Sequence, residues 1–178
     1  ASAVAPGGEV IGLKSHHTQN LFELFKAESS GMVNYFVRTN GFEDGALSDA
    51  RLSNRMSVMI PGPQANTLVI GDRGNFRVRL IDLNNNTIST LAGNGSNYIS
   101  GDGGPATQAG LGFINGLDFD SAGNLYLFVA PNQTDDGFIR KVDTQGVIST
   151  LAGLPRVQGG LDVTQTGALH ASRVVLSG

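Results

Sequence analysis

The side chains able to do chemistry are few and scattered. The chain of 178 residues has three histidines, His16, His17 and His170, and no cysteine. Neutral imidazole is a good zinc ligand, so these three are the candidates for a metal site. Disulfides and thiolate sites are excluded. Two adjacent histidines rarely aim at one metal, and His170 stands near the other end of the chain. Asp102, in Gly101-Asp102-Gly103-Gly104, could offer an oxygen to calcium. It is the only local carboxylate, its spacing is unlike an EF-hand, and an Asp before Gly-Gly is expected to hydrogen-bond its own turn. The same loop lacks the Lys-Ser/Thr that would reach a phosphate. Asp135-Asp136 is either a solvated loop tip or part of a binding face. Ser, His and Asp fall in no triad-like arrangement, and there is no nucleophile elbow.

Composition narrows the partners. The net charge is -3 and the pI about 5.5, with no run of Lys or Arg, which argues against a nucleic-acid binder working by phosphate neutralisation. Hydrophobic residues make up 40% and charged residues 15%, a globular composition with a lightly charged surface. No apolar run approaches the ~20 residues of a membrane helix. The start, Ala1 to Pro6, has neither Met nor a charged region, so a processed or cut chain is expected.

The elements that must position these residues recur. Val10-Ile11-Gly12 returns as Val69-Ile70-Gly71, 59 residues on, and another 59 lands on the apolar Phe128-Val129-Ala130. Ala50 and Leu52 are echoed by Ala109 and Leu111, and Asp44-Gly45 is an echo of Asp102-Gly103. Ser89-Thr90-Leu91-Ala92-Gly93 reappears as Ser149-Thr150-Leu151-Ala152-Gly153 after 60 residues. These spacings divide the chain into units 1–53, 54–112 and 113–171, with the first strand of a further unit over 172–178.

Each unit reads as four short strands. In the third unit they are 116–119, 124–129, 138–143 and 147–152, with β-branched or aromatic residues at spacing two. Asp120-Ser121-Ala122-Gly123-Asn124 and Asp143-Thr144-Gln145-Gly146 carry hairpin-turn chemistry. Pro105 followed by Ala106 predicts a single helical turn in the longer link. Leu21-Phe22-Glu23-Leu24-Phe25 alone could be an amphipathic helical turn; alignment with the other units makes it a third strand. Four antiparallel strands per unit with a longer link between units is the pattern of a β-propeller blade. The fold expected is all-β, about three four-stranded blades of an incomplete ring.

The letters of the better preserved units resemble a known family. GDGGPATQAGL from Gly101, then DSAGNLYLF, IRKVD and GVISTLAG, are similar to the NHL repeat of bacterial propeller proteins. Asp72-Arg73-Gly74-Asn75-Phe76-Arg77-Val78-Arg79 resembles that family's D-x-x-N-x-R-I-R segment. The resemblance is specific over 66–153. It weakens over 1–41, where Leu13 to Thr18 replace the Asp–Asn turn. In the third unit the turn from Pro131 to Gly137 is longer than the family pattern and lacks its Arg. The resemblance implies a propeller, typically of six blades. Three units and a strand do not close such a ring, so a segment of a longer polypeptide is expected, or a ring completed by further blades of the same or another chain.

The blade reading places His16 and His17 between a second and a third strand, and His170 just before a first strand. Those two loop classes open on one face, which permits a metal cluster. Asp72 and Asn75 are expected to tie their turn, and Arg77 to reach a neighbouring carboxylate or carbonyl. The loop residues that could meet a partner are His16, His17, Asp72, Arg73, Asn75, Asp135 and Asp136. The expectation is a non-catalytic binding or structural module without cofactor, presenting loops to a protein or glycan partner. The alternative is a lyase- or hydrolase-like propeller enzyme with a metal, Zn or Ca, held by histidines near the ring axis. The resemblance further implies a secreted or cell-surface bacterial protein.

Overall fold

Short apolar runs punctuated by Asp, Asn and Gly fold into three antiparallel meanders, each in chain order. The computed structural model describes residues 2–4, 10–16, 21–28, 31–131 and 137–153. The first blade comprises β1 (Ser2–Val4), β2 (Val10–His16), β3 (Leu21–Glu28) and β4 (Gly31–Thr39). A link holding β5 (Gly45–Ala46) and β6 (Arg51–Leu52) leads to the second blade. That blade is β7 (Met59–Pro61), β8 (Thr67–Asp72), β9 (Arg77–Asp82) and β10 (Thr87–Ala92). The third is β11 (Phe113–Phe119), β12 (Leu125–Ala130), β13 (Phe138–Val142) and β14 (Ile148–Ala152). Leu21 to Phe25 lie in a strand, as the repeat alignment required, and Ala106–Gln108 form a 3-10 turn behind Pro105.

The turns work as their residues suggest. The Asp143 carboxylate accepts the N–H groups of Gln145 and Val147, and Asp82 those of Asn84 and Asn85. Bonds to Asp82, the one from the Asn85 side chain foremost, hold its carboxyl below the usual range. Strand ends fall within a residue of expectation, except that β11 starts at Phe113. A register shift between Ile114 and Gly116 absorbs one residue, so Phe113 still pairs with Ala130. Asn115-Gly116 broke the alternation in the sequence; a bulge tolerates such a break.

Each link is stitched to the blades on both sides. β6 runs parallel to β4 of the first blade, while β5 joins the outer strand β10 of the second. The second link repeats this plan. Gly93 N–H donates to Ala106 O of the link, and Gly103 N–H donates to Ile148 O of the third blade. Gly93 has φ +98°, and a Cβ there would collide with the Phe76 carbonyl oxygen. Only glycine fits, and Gly153 repeats the conformation at φ +109°.

Two apolar cores sit between blades. Val37, Leu47, Ala50 and Leu52 pack on Leu68, Ile70, Ile81 and Ile88, joining the first blade and link to the second. Val69, Val78 and Ala92 point the other way, onto Leu117, Leu127, Val129 and Phe138. Alternation along β8 therefore feeds both cores, and all six of its residues are buried. On the third blade Phe128 and Ile139, cross-strand partners, are 49% and 44% exposed. The architecture is all-β, three blades of a propeller.

Candidate functional site

The turn between β8 and β9 is the most heavily organised segment of the described structure. Asp72, the last residue of β8, is wholly buried. Its Oδ1 accepts the Ser53 N–H at 2.9 Å; its Oδ2 accepts Asn75 Nδ2 at 2.8 Å and Arg79 Nη1 at 3.3 Å. Asn75 Nδ2 also donates to Gly41 O at 2.6 Å, in the segment leaving the first blade. Gly74 lies against Ser53: a Cβ would come 2.8 Å from Ser53 Cβ, so only glycine permits this approach. Arg73–Asn75 make one 3-10 turn, which Phe76 ends in the left-handed conformation at φ 53°. That kink sets the Phe76 ring edge-on to Phe113, 5.0 Å between centroids. Arg73 lies over the same Phe113 ring, 4.8 Å from its centroid.

Asp72 and Asn75 thus tie the turn as expected, and Arg77 reaches carbonyls, donating to Asn75 O and Asn94 O. Burial, then the charge of Arg79, lowers the pKa of the Arg77 guanidinium below its ordinary value. Asp72 was expected among the loop residues open to a partner; burial commits it to the scaffold.

Above this turn opens a cleft of about 350 Å³ shared by three blades. Asn40 and Gly41 come from the exit of the first blade, Ser53, Asn54 and Arg55 from the link, Gly74 to Phe76 from the turn, and Phe113 from the third blade. The link into a first strand, the turn between second and third strands, and the end of a fourth strand lie at one end of a meander, hereafter the link face. No carboxylate lines the cleft. Among the described residues neither the Arg55 nor the Arg73 guanidinium has a hydrogen-bond or ion-pair partner.

Below the face each link is pinned by one device. Arg79, wholly buried, holds Asp44 Oδ1 at 2.6 Å and donates to Glu43 O and Arg51 O; Thr90 Oγ1 donates to Asp44 Oδ2. Arg140, equally buried, holds Asp102 Oδ1 at 2.5 Å and donates to Ser100 O and Gly110 O; Thr150 Oγ1 donates to the same Asp102 oxygen. This corrects the expectation for Asp102, whose side chain bonds across to the next blade instead of to its own turn. Burial acts to raise the Asp102 pKa, but the bonds from Arg140 and Thr150 outweigh it, and the net shift is downward. Reading the sequence by motif missed Arg79 and Arg140 as the partners of these aspartates. The signal was present: Asp44/Asp102, Arg79/Arg140 and Thr90/Thr150 each recur at the repeat spacing.

The histidine candidates are not brought together. His16 is the final residue of β2, paired with Leu21, so it belongs to a strand end and not to the loop. His17, His170, Asp135 and Asp136 lie outside the described residues. Among the described residues no group of three or more His, Cys, Asp or Glu could hold a metal ion.

No protein-family model matches the chain, and no curated protein does so significantly. Solved structures do. A Bacteroides thetaiotaomicron protein provisionally named a phosphatase aligns with a TM-score of 0.52 and 18% identity over 71% of this chain and 31% of its own length. A protein of unknown function from the same organism gives 0.53 and 16% identity, over 88% of this chain and 48% of its own. A luciferin-regenerating enzyme gives 0.52 and 13% identity, over 86% and 45%. The chain therefore spans less than half the length of each. At these identities the likeness concerns the fold, which is propeller-like.

Proposed function

We propose that the chain is a segment of an NHL-like propeller that serves as a non-catalytic binding or structural module and presents its link face to a protein or glycan partner. One observation carries this reading. On the cleft shared by three blades, the cationic side chains of Arg55 and Arg73 are unspent, while the nearby carboxylates of Asp72 and Asp44 are consumed in holding the scaffold. A site built for acid–base chemistry needs a carboxylate or imidazole within reach of substrate; a recognition site needs fixed walls and free donors. The resemblance to bacterial NHL proteins supports secretion or display at the cell surface, and further blades in the intact ring.

The chain has no cysteine, which makes a blocking test clean. Asn54→Cys on the link face and Asn85→Cys on the opposite end are each coupled to a bulky maleimide. Binding is then measured against a glycan array and by cross-linking in native extract. The expected result is loss of partner binding only with the label at position 54. Equal loss from both positions, or none, would sink the reading.

A further inference from the structure

We propose, with the link face taken as the partner surface, that its cleft receives the carboxylate of an acidic sugar, a hexuronate unit of a glycan. Arg73 is held without being paired. Its guanidinium lies 4.8 Å from the Phe113 centroid, which fixes its place while its N–H donors stay available. A planar guanidinium so placed meets a carboxylate through two parallel N–H···O bonds. Arg55, exposed on the cleft wall, supplies a second cation.

The other arginines of the second and third blades are spent. Arg77, Arg79 and Arg140 give their donors to carbonyls and to Asp44, Asp72 and Asp102. With no carboxylate on the lining, the local field is positive although the chain as a whole is -3.

The choice of a sugar comes from the remaining polar groups. Asn40 and Asn54 line the cleft, are exposed, and make no side-chain hydrogen bond among the described residues. Each amide offers donors and an acceptor together, the complement of adjacent hydroxyls on a pyranose. An acidic peptide would satisfy the arginines but offers those amides no hydroxyl pair. A cleft of about 350 Å³ stands at the small end of ligand sites, on the scale of a sugar unit and not of a folded partner.

The test titrates the isotope-labelled full chain with trigalacturonate, with neutral maltotriose and with tetraglutamate, following backbone amide shifts. Trigalacturonate is expected to move the Asn54, Gly74 and Asn75 signals saturably, and to bind more weakly as salt rises. Arg55→Gln and Arg73→Gln should each cut that affinity about tenfold, the scale of one hydrogen bond to a charged group. Arg73→Lys, which keeps the charge but not the fork, should lose less than Arg73→Gln. Amide spectra that keep the parent's blade-core signals show that each variant is folded. Equal binding of maltotriose, or Gln variants that bind like the parent, overturns the carboxylate. Equal binding of tetraglutamate overturns the sugar, and so does the absence of a saturable link-face shift with trigalacturonate. The maleimide block at position 54 judges the link face itself and is independent of these outcomes.

Discussion

At the junction of the first and second blades Arg79 reaches two carboxylates, Asp44 and the buried Asp72; at the next junction Arg140 reaches Asp102 alone. The two sites otherwise match, down to a threonine hydroxyl on the aspartate and a buried Nε–H with no acceptor among the described residues. The position equivalent to Asp72 in the third blade is Pro131. The shared part is therefore the blade-to-link tie, which each repeat needs. The added carboxylate belongs to the turn under the cleft, where it fixes Ser53, Asn75 and Arg79 at once. One junction is only a joint; the other is a joint that also holds a surface in place.

The comparison can be broken most directly by removing the cations. Arg79→Met should destabilise by about 3–5 kcal/mol, because it strands the buried Asp72 charge. Arg140→Met should cost about 1–3 kcal/mol, since it strands carbonyls and a half-exposed Asp102. Urea unfolding measures both, and equal losses would show that Asp72 adds nothing. Next in size is Asp72→Ala, at about 2–3 kcal/mol through the backbone and amide donors it leaves unpaired. In a double-mutant cycle its cost should shrink by about 1–3 kcal/mol when Arg79→Met is already present. Strict additivity would mean that the 3.3 Å pair is not felt.

Asp102→Asn should be mild, about 1 kcal/mol or less, because its side chain is 51% exposed and the pair is screened by solvent. Its pH dependence sharpens the point. The Asp102 carboxyl has a lowered pKa in the folded chain, so its contribution is complete above the ordinary carboxylate range and fades as pH falls through the folded value. The stability gap between parent and Asp102→Asn, followed by urea midpoints from neutral pH into acid, should close on acidification. A gap that widens would reverse the assignment. The smallest effect is at the surface: Arg55→Gln should change stability by less than about 0.5 kcal/mol, as befits an exposed side chain kept for binding.

Much of this was legible in the chain. Spacings of 59 and 60 residues and the turns at Asp120 and Asp143 led to the strands within a residue or so, because alternation and hairpin chemistry are local. The start of β11 was missed because a bulge is settled by the partner strand, here Ala130. The cleft was legible only in fragments. Asp72, Arg73 and Asn75 stood out as a segment, but nothing local joins them to Asn40, Asn54 and Phe113.

By itself the sequence determined the repeat, the strand count per blade and the residues of each turn, since these depend on neighbours a few positions apart. Only the tertiary structure decided that Asp102 serves Arg140 across the link, that Asp72 is buried beneath the turn, and that Arg55 and Arg73 stay unspent over an open cleft. The reason is physical. A charged side chain's role is set by which partners desolvate and pair with it, and here those partners lie up to 38 residues away, on another blade or its link.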